Sequence, residues 1–417
     1  MAESVEVAVI GAGQAGLSIS YELSHADVEH VVLERDRVGE SWRRRWDSFC
    51  LVTPNWSVQP PGGRYDGDDP DGFMRRDEIV DHFVRYAQRF RAPIREGVDV
   101  LSLTRSDDGR FVLRTTSGDI RASQVVVASG AFQKPYRPPY AGAFPDGVAV
   151  IDAEGYTNPG ALADGKVLII GSGQTGCQLA EELHESGRDV FVACGRVPWM
   201  PRRVGDHDFV EWFVRTSFLE ATLADLPSPL ARLGGNVQAS GGSGGHDLHY
   251  RTLQAMGVQL LGHFTGVTDD TAHFAPDLDE SVAFGDARYT DVCNLIRRTC
   301  ADHGIDAPPM PAPEPFVSQV RDRVSLRDVS AVIFTTGYRP DYRRWVELPQ
   351  AFDEHGFPVQ IDGASSVVDG LHFIGVHFLR KRKSSSLLGV AEDAAVVAAN
   401  IVAAARGRVP GAEPVAC

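Results

Sequence analysis

Nothing in this 417-residue chain provides for a dithiol centre, a membrane span or a polyanion-binding surface. The six cysteines, at positions 50, 177, 194, 293, 300 and 417, form no C-x-x-C pair, which fits a reducing compartment and counts against disulfide redox chemistry. No apolar run reaches bilayer length: the longest, Ala394 to Ala405, is interrupted by Asn400 and falls short of the ~20 residues a spanning helix needs. The acidic start leads into only six mostly apolar residues, Val5 to Ile10, which reads as neither a secretory leader nor an anchor, so a soluble cytoplasmic protein is expected. Positive charge is also short, with a net charge of −15, which argues against nucleic acid or an acidic membrane as partner. The local clusters Arg43 to Arg45 and Arg380 to Lys383 serve either as solvated faces or as contacts to an anionic ligand. His246 and His249 lie three apart without cysteine or carboxylate at ligand spacing, so no metal site is expected.

Glycine, in contrast, is arranged with purpose. Gly11-Ala12-Gly13-Gln14-Ala15-Gly16 follows the apolar run Val5 to Ile10, and Gly171-Ser172-Gly173-Gln174-Thr175-Gly176 follows Val167 to Ile170. One G-x-G-x-x-G is a weak signal; two, each between a strand and a helix, imply two bound dinucleotides. Such glycines permit a tight turn and a close approach of backbone N–H groups to a pyrophosphate at a helix N-terminus. A helix is predicted from the first turn to Ser24 and His25, and a second from the later turn to near Gly187.

What closes the next strands separates the two nucleotides. Glu34, about 20 residues past the first turn, is placed to accept a hydrogen bond from a ribose 2′-hydroxyl. The corresponding strand of the second copy ends at Cys194-Gly195-Arg196 with no carboxylate, and a guanidinium there suits a 2′-phosphate, although a solvated loop arginine reads the same way. FAD in the first site and NADPH in the second follow, with Arg202 and Arg203 close behind Arg196.

Three further strands complete an α/β fold of two Rossmann-like dinucleotide-binding domains. Val125 to Val127 runs into the small residues Ala128-Ser129-Gly130, Val332 to Phe334 into Thr335-Thr336-Gly337, and Leu371 to Gly375 leads through a basic, serine-rich loop into a helix near Gly389. The expected order is an FAD domain at 1–160, an inserted NADP domain at 161–340 and a C-terminal return to the FAD domain at 341–417. The glycine-rich stretch 233–245 is either a lid over the nicotinamide site or a plain surface excursion, and Ala307 to Pro315 is a proline-rich connector.

With these residues in place the chain resembles class B flavin-dependent monooxygenases, the NADPH- and FAD-dependent group that includes flavin-containing monooxygenases. The similarity covers nearly the whole length. Besides both glycine motifs it includes Gly39-Glu40-Ser41-Trp42-Arg43, Arg45 to Phe49 with Leu51 to Trp56, Lys134-Pro135 and Thr336 to Pro340, and the stretch Phe378 to Ala394 is closer to a bacterial flavoprotein subgroup. The resemblance implies oxygenation of a small molecule at a nitrogen, sulfur or carbonyl centre through a C4a-(hydro)peroxyflavin. It implies dioxygen and a small-molecule substrate as partners, with a homodimer open.

The expected cofactor-binding set is Gly11, Gly13, Gln14, Ala15, Gly16, Glu34, Arg35, Ser41, Trp42, Trp46, Val100, Ala128, Ser129, Gly130, Gly171, Ser172, Gly173, Gln174, Thr175, Gly176, Arg196, Arg202, Thr336, Gly337, Lys383 and Glu392. Asn55 and Thr53 are candidates for the catalytic edge of the flavin, or else for the turn around Pro54. Two of Trp42, Trp46 and Trp56 are expected to pack in the core. One departure stands out. Where the monooxygenase fingerprint carries His-Ser, this chain has Asp152-Ala153, which keeps an oxidase releasing hydrogen peroxide as the alternative and predicts that Asp152 faces solvent or orients an arginine.

Overall fold

A computed structural model of the chain describes residues 3–142, 144–319 and 321–406; Cys417 and positions 407–417 of the expected C-terminal return lie outside them. Strand β1 (Glu3–Ile10) alternates its side chains between two cores. Val7 and Val9 face the helix side, while Ala8 and Ile10 face the opposite layer. Helix α1 (Gln14–His25) follows directly and buries Leu17, Ile19 and Leu23. It ends at Ala26, where Asp27 takes a positive φ of 55°. Next come β2 (His30–Leu33), helix α2 (Arg76–Arg89), β3 (Ile94–Arg95) and a meander of β4 (Val100–Arg105), β5 (Phe111–Thr115) and β6 (Gly118–Val127).

In the first sheet β6, β1, β2 and β3 lie side by side and parallel, with Val9 opposite both Val32 and Val126. The second sheet is parallel throughout, in the order β10-β9-β8-β11-β7. Its members are β7 (Ala149–Asp152), β8 (Lys166–Ile170), β9 (Val190–Ala193), β10 (Gln259–Leu261) and β11 (Val329–Phe334). Helix α3 (Gln174–Glu185) follows β8, α4 (Tyr250–Met256) precedes β10, and α5 (Leu278–Asp302) precedes β11. The chain then returns: β12 (Leu371–Phe373) pairs parallel with β6, and α6 (Val390–Arg406) packs beside α1.

Strand β7 enters the second sheet well ahead of residue 160, because Ile151 and Asp152 register with Ile333 and Phe334. The apolar pattern of Ala149 to Ile151 is too short to reveal which sheet it joins. The chain passes between the halves twice, and the passages are hydrogen-bonded to each other as a short antiparallel pair, Tyr338 opposite Pro135 and Arg339 opposite Lys134.

Candidate active site

At the first fingerprint Gly11 has a φ of +106°, and a Cβ there would stand 2.7 Å from the Ala128 carbonyl oxygen. The end of β6 passes that close. Gly16 is tighter still, with a Cβ position 1.8 Å from the Gly11 oxygen. Gly13 differs: nothing lies within 4 Å of its Cβ position, and as N-cap of α1 it leaves the first turn without a side-chain cap. Donor N–H groups, a helix dipole and an open approach make an anion cradle that fits a pyrophosphate. Glu34 closes β2 with Oε2 accepting from the Ala12 N–H at 2.7 Å and Oε1 from the Asp36 N–H at 3.0 Å, so the carboxylate is held in place beside the turn.

The second fingerprint repeats this geometry. Gly171 has a φ of +110° and a Cβ position 2.7 Å from the Thr335 carbonyl oxygen, Gly176 has one 2.2 Å from the Gly171 oxygen, and Gly173 is an uncapped N-cap open to space. Thr335 seals the turn by donating its hydroxyl to the Gly171 carbonyl at 2.7 Å, and the Thr336 hydroxyl donates to the Tyr136 carbonyl across the chain crossing. Ser172 is buried, and its hydroxyl accepts from the Gly195 N–H at 2.8 Å, which fixes the end of β9. Arg196, the next residue, projects into solvent and among the described residues pairs with Glu280, at 3.5 Å. An exposed guanidinium at this strand end fits a 2′-phosphate.

Both fingerprint glutamines hold a segment that crosses the cradle. The Gln14 amide donates to the Ser385 carbonyl at 3.1 Å. The Gln174 amide donates to the Ala239 carbonyl and accepts from the Ala239 N–H at 3.1 Å, while Gln238 donates to the Ser172 carbonyl at 2.7 Å. Gln238, Ala239 and Ser240 are buried, so the centre of 233–245 is a fixed strut and the lid expectation is corrected.

Other expected site residues are engaged elsewhere. Arg202 is buried, donating to Asp208 and to the Val52 carbonyl at 2.7 Å each, with the rings of Phe73 and Phe209 within 5 Å of its guanidinium; it braces the two halves and is not free to meet a phosphate. Lys383 and Glu392 pair with each other at 2.5 Å, and Lys383 also meets Glu220 at 2.7 Å. Lys381 joins the same carboxylates, Glu220 at 2.5 Å and Glu392 at 3.2 Å. This quartet ties the serine-rich loop and α6 to the turn Ser217–Glu220, so its charges are spent within the protein. Arg35 pairs with Asp36, Ser41 is exposed in a short helical turn, and Val100 is buried at the start of β4.

Asn55 is buried and both ends of its amide are used, donating to the Asp69 carbonyl at 2.9 Å and accepting from the Met74 N–H at 2.6 Å. Thr53 accepts from the Ser57 hydroxyl at 2.7 Å. Trp46 belongs to the main core, edge-on to Phe49, with Trp42 packed against the same cluster; Trp56 packs on a separate one. His249 stacks near Trp199 and burial lowers its pKa to about 4, while His246 sits 2.6 Å from Glu181, which raises its own. Among the described residues no group of side chains is arranged to hold a metal ion.

Asp152 forms a two-point ion pair with Arg137, at 2.8 and 3.0 Å, and that guanidinium lies 5.0 Å over Phe334. The carboxylate therefore orients an arginine beside the linker. The five described cysteines are free and buried, and burial pushes Cys194 up to about 12. No helix among the described residues is long and apolar enough to cross a membrane.

Two uncapped glycine cradles in one chain, with the first sheet completed only after the second is finished, define a two-nucleotide oxidoreductase. The profile of the pyridine nucleotide-disulphide oxidoreductase family matches residues 8–207. The CzcO-like oxidoreductase of Geobacillus kaustophilus is 31% identical over 401 residues, 94% of this chain and 97% of that one. Indole-3-pyruvate monooxygenase YUCCA4 of Oryza sativa subsp. japonica is 25% identical over 94% of this chain and 86% of that one. Among solved structures, a flavin-containing monooxygenase from Stenotrophomonas maltophilia superimposes with a TM-score of 0.67 at 20% identity, covering 96% of this chain and 99% of that one. The chain belongs to the CzcO-like oxidoreductases and has the fold of the flavin monooxygenases. Flavin monooxygenases of this fold use FAD and NADPH.

Proposed function

We propose that the protein is an NADPH-dependent monooxygenase that inserts one atom of dioxygen into a small molecule at a nitrogen, sulfur or carbonyl centre. The observation that carries this reading is the pair of open cradles at Gly13 and Gly173, each at the start of a helix whose first turn has no cap of its own. When bound, FAD accepts hydride from NADPH and delivers electrons to dioxygen.

The chain supplies binding, orientation and exclusion of water. Gly11 to Gly16 and the N-terminus of α1 hold the FAD pyrophosphate, and Glu34, already oriented by two N–H groups, accepts from the ribose. Gly171 to Gly176 would hold the second pyrophosphate, and Arg196, exposed and loosely paired with Glu280, would take the 2′-phosphate. Ala128, Ser129, Thr336 and Gly337 let the chain pass close to the bound groups. Asn55 and Thr53 act through the turn they lock, which Asn55 fastens to Asp69 and Met74.

The test is a balance of NADPH oxidised, dioxygen consumed and peroxide released by FAD-loaded protein offered a tertiary amine, a thioether and a cyclic ketone. Incorporation of labelled oxygen into at least one of them is expected. Peroxide equal to NADPH with every compound would replace the reading by an oxidase.

A further inference from the structure

Arg232 takes no part in the site so far described. It sits in the turn Pro229–Leu233, contributed by the second half, and is only 8% exposed. Its Nε donates to the Pro229 carbonyl at 3.0 Å, and the guanidinium lies 4.1 Å over the ring of Phe357, from the C-terminal return. The two terminal nitrogens donate to nothing among the described residues, and neither is sealed from solvent. Asp353 is near enough to act on it electrostatically but forms no ion pair with it, and its Oδ1 accepts from the N–H groups of His355 and Phe357. Burial lowers the Arg232 pKa. Arg202 has Asp208 and Arg251 has Asp286, whereas Arg232, like the half-buried Arg339 and Arg382, lies over an aromatic ring without a carboxylate partner, and of these three it is the most deeply buried.

Its electrostatic neighbour His377 connects this charge to the segment that crosses the first cradle. Burial, and secondarily the charge of Arg232, push His377 down to about 4, so its imidazole is neutral at pH 7. The His377 Nδ1 is 3.0 Å from the Ser385 hydroxyl, and the Ser385 carbonyl accepts from Gln14 of the fingerprint. The His377 ring packs edge-on to Phe132 at 5.2 Å, just past Ala128-Ser129-Gly130. Phe357 shields one face of the guanidinium, and the two free nitrogens lie on a single edge, the shape that receives a planar, two-oxygen acceptor. The pyrophosphates have their own cradles at Gly13 and Gly173.

Resting on the monooxygenase reading, we propose that Arg232 is the anion-binding residue of the substrate pocket and that the substrate is a small molecule bearing a carboxylate. Arg232 is then a specificity-determining residue for the oxygenation. The segment carrying it comes from the half that holds the second nucleotide, so the pocket is complete only when both halves are in place.

Calorimetric titration of the FAD-loaded protein, without NADPH, with acetate, benzoate and 1-naphthoate and with the matching amides tests this. At least one carboxylate is expected to bind at least tenfold more tightly than its amide. Arg232→Gln should weaken that carboxylate tenfold or more and leave the amide unchanged, and Arg232→Lys should recover part of the loss. If Arg232→Gln does not fold by circular dichroism, the wild-type protein decides: the bound carboxylate should protect Arg232 from phenylglyoxal, read by mass spectrometry of the peptide that contains it. Equal binding of acids and amides, no binding of any acid, absence of that protection, or tighter binding of inorganic phosphate than of every carboxylate would overturn the proposal. So would Arg232→Gln weakening NADP⁺ as much as the carboxylate, which would assign the charge to the coenzyme. Oxygenation of neutral compounds without anion binding would sink this inference and leave the monooxygenase reading intact.

Discussion

A β-carbon on Gly16 would overlap the Gly11 carbonyl oxygen, whereas one on Gly13 would meet nothing and would stand in the mouth of the cradle. The two substitutions therefore separate folding from binding. Gly13→Ala, at a φ of −77° that any residue adopts, should leave the thermal unfolding midpoint of the FAD-free protein unchanged and reduce the FAD retained on gel filtration. Gly16→Ala should lower both. At Arg196 the expectation concerns coenzyme choice: a charge-assisted phosphate contact contributes about 1.5–3 kcal/mol, so Arg196→Ala should weaken NADPH roughly ten- to a hundredfold and leave NADH nearly unchanged in initial-rate kinetics. The residues legible in the sequence are those whose role is local, such as Gly11, Glu34 and Gly171. The partners of Arg202, Lys383 and Glu392, among them Asp208, Val52 and Glu220, are chosen by the fold, and no spacing announces them.

At the scale of elements, the lysine–glutamate quartet fastens the loop before α6 to the turn Ser217–Glu220. The hydrogen bond from Lys381 lowers the Glu220 pKa, and Glu220 in turn raises that of Lys381. The stabilisation from Glu220 is thus fully present above its ordinary value of 4.5 and is lost as pH falls through its lowered folded value. That from Lys381 is present below 10.5 and is lost as pH rises through its raised one. Because both glutamates are nearly half exposed and water screens each pair, roughly 0–1 kcal/mol is expected for each. Glu220→Gln should lower the unfolding midpoint by a small constant amount from pH 6 to pH 9, and in thermal scans the difference from wild type should shrink as pH falls below 4.5 and vanish once the carboxyl is protonated in the folded protein. The helices after both fingerprints were legible because their glycines and apolar stripes are contiguous. The strut at Gln238 to Ser240 was not, since glycine-rich sequence on both sides suggests mobility and only the contact with Gln174 and Ser172 reveals burial.

For the whole molecule, the main apolar core runs through both halves without a break, from Val7 and Leu17 to Val167 and Ile333. Cofactor binding should therefore stabilise the chain as one unit. FAD at a hundredfold excess over its dissociation constant adds about 2.7 kcal/mol by mass action, and calorimetry should show a single transition moving upward with FAD concentration. Two separate transitions, of which FAD shifts only one, would show that the halves unfold independently.

The paired chain crossings have a consequence for how such a molecule is assembled genetically. Pro135 and Tyr338 lie on adjacent strands, about 5 Å apart by the ordinary spacing of a sheet. The whole second half thus enters and leaves through one gap in the first, and a single in-frame insertion at that point, with no rearrangement of the host strands, would convert a one-nucleotide fold into a two-nucleotide one.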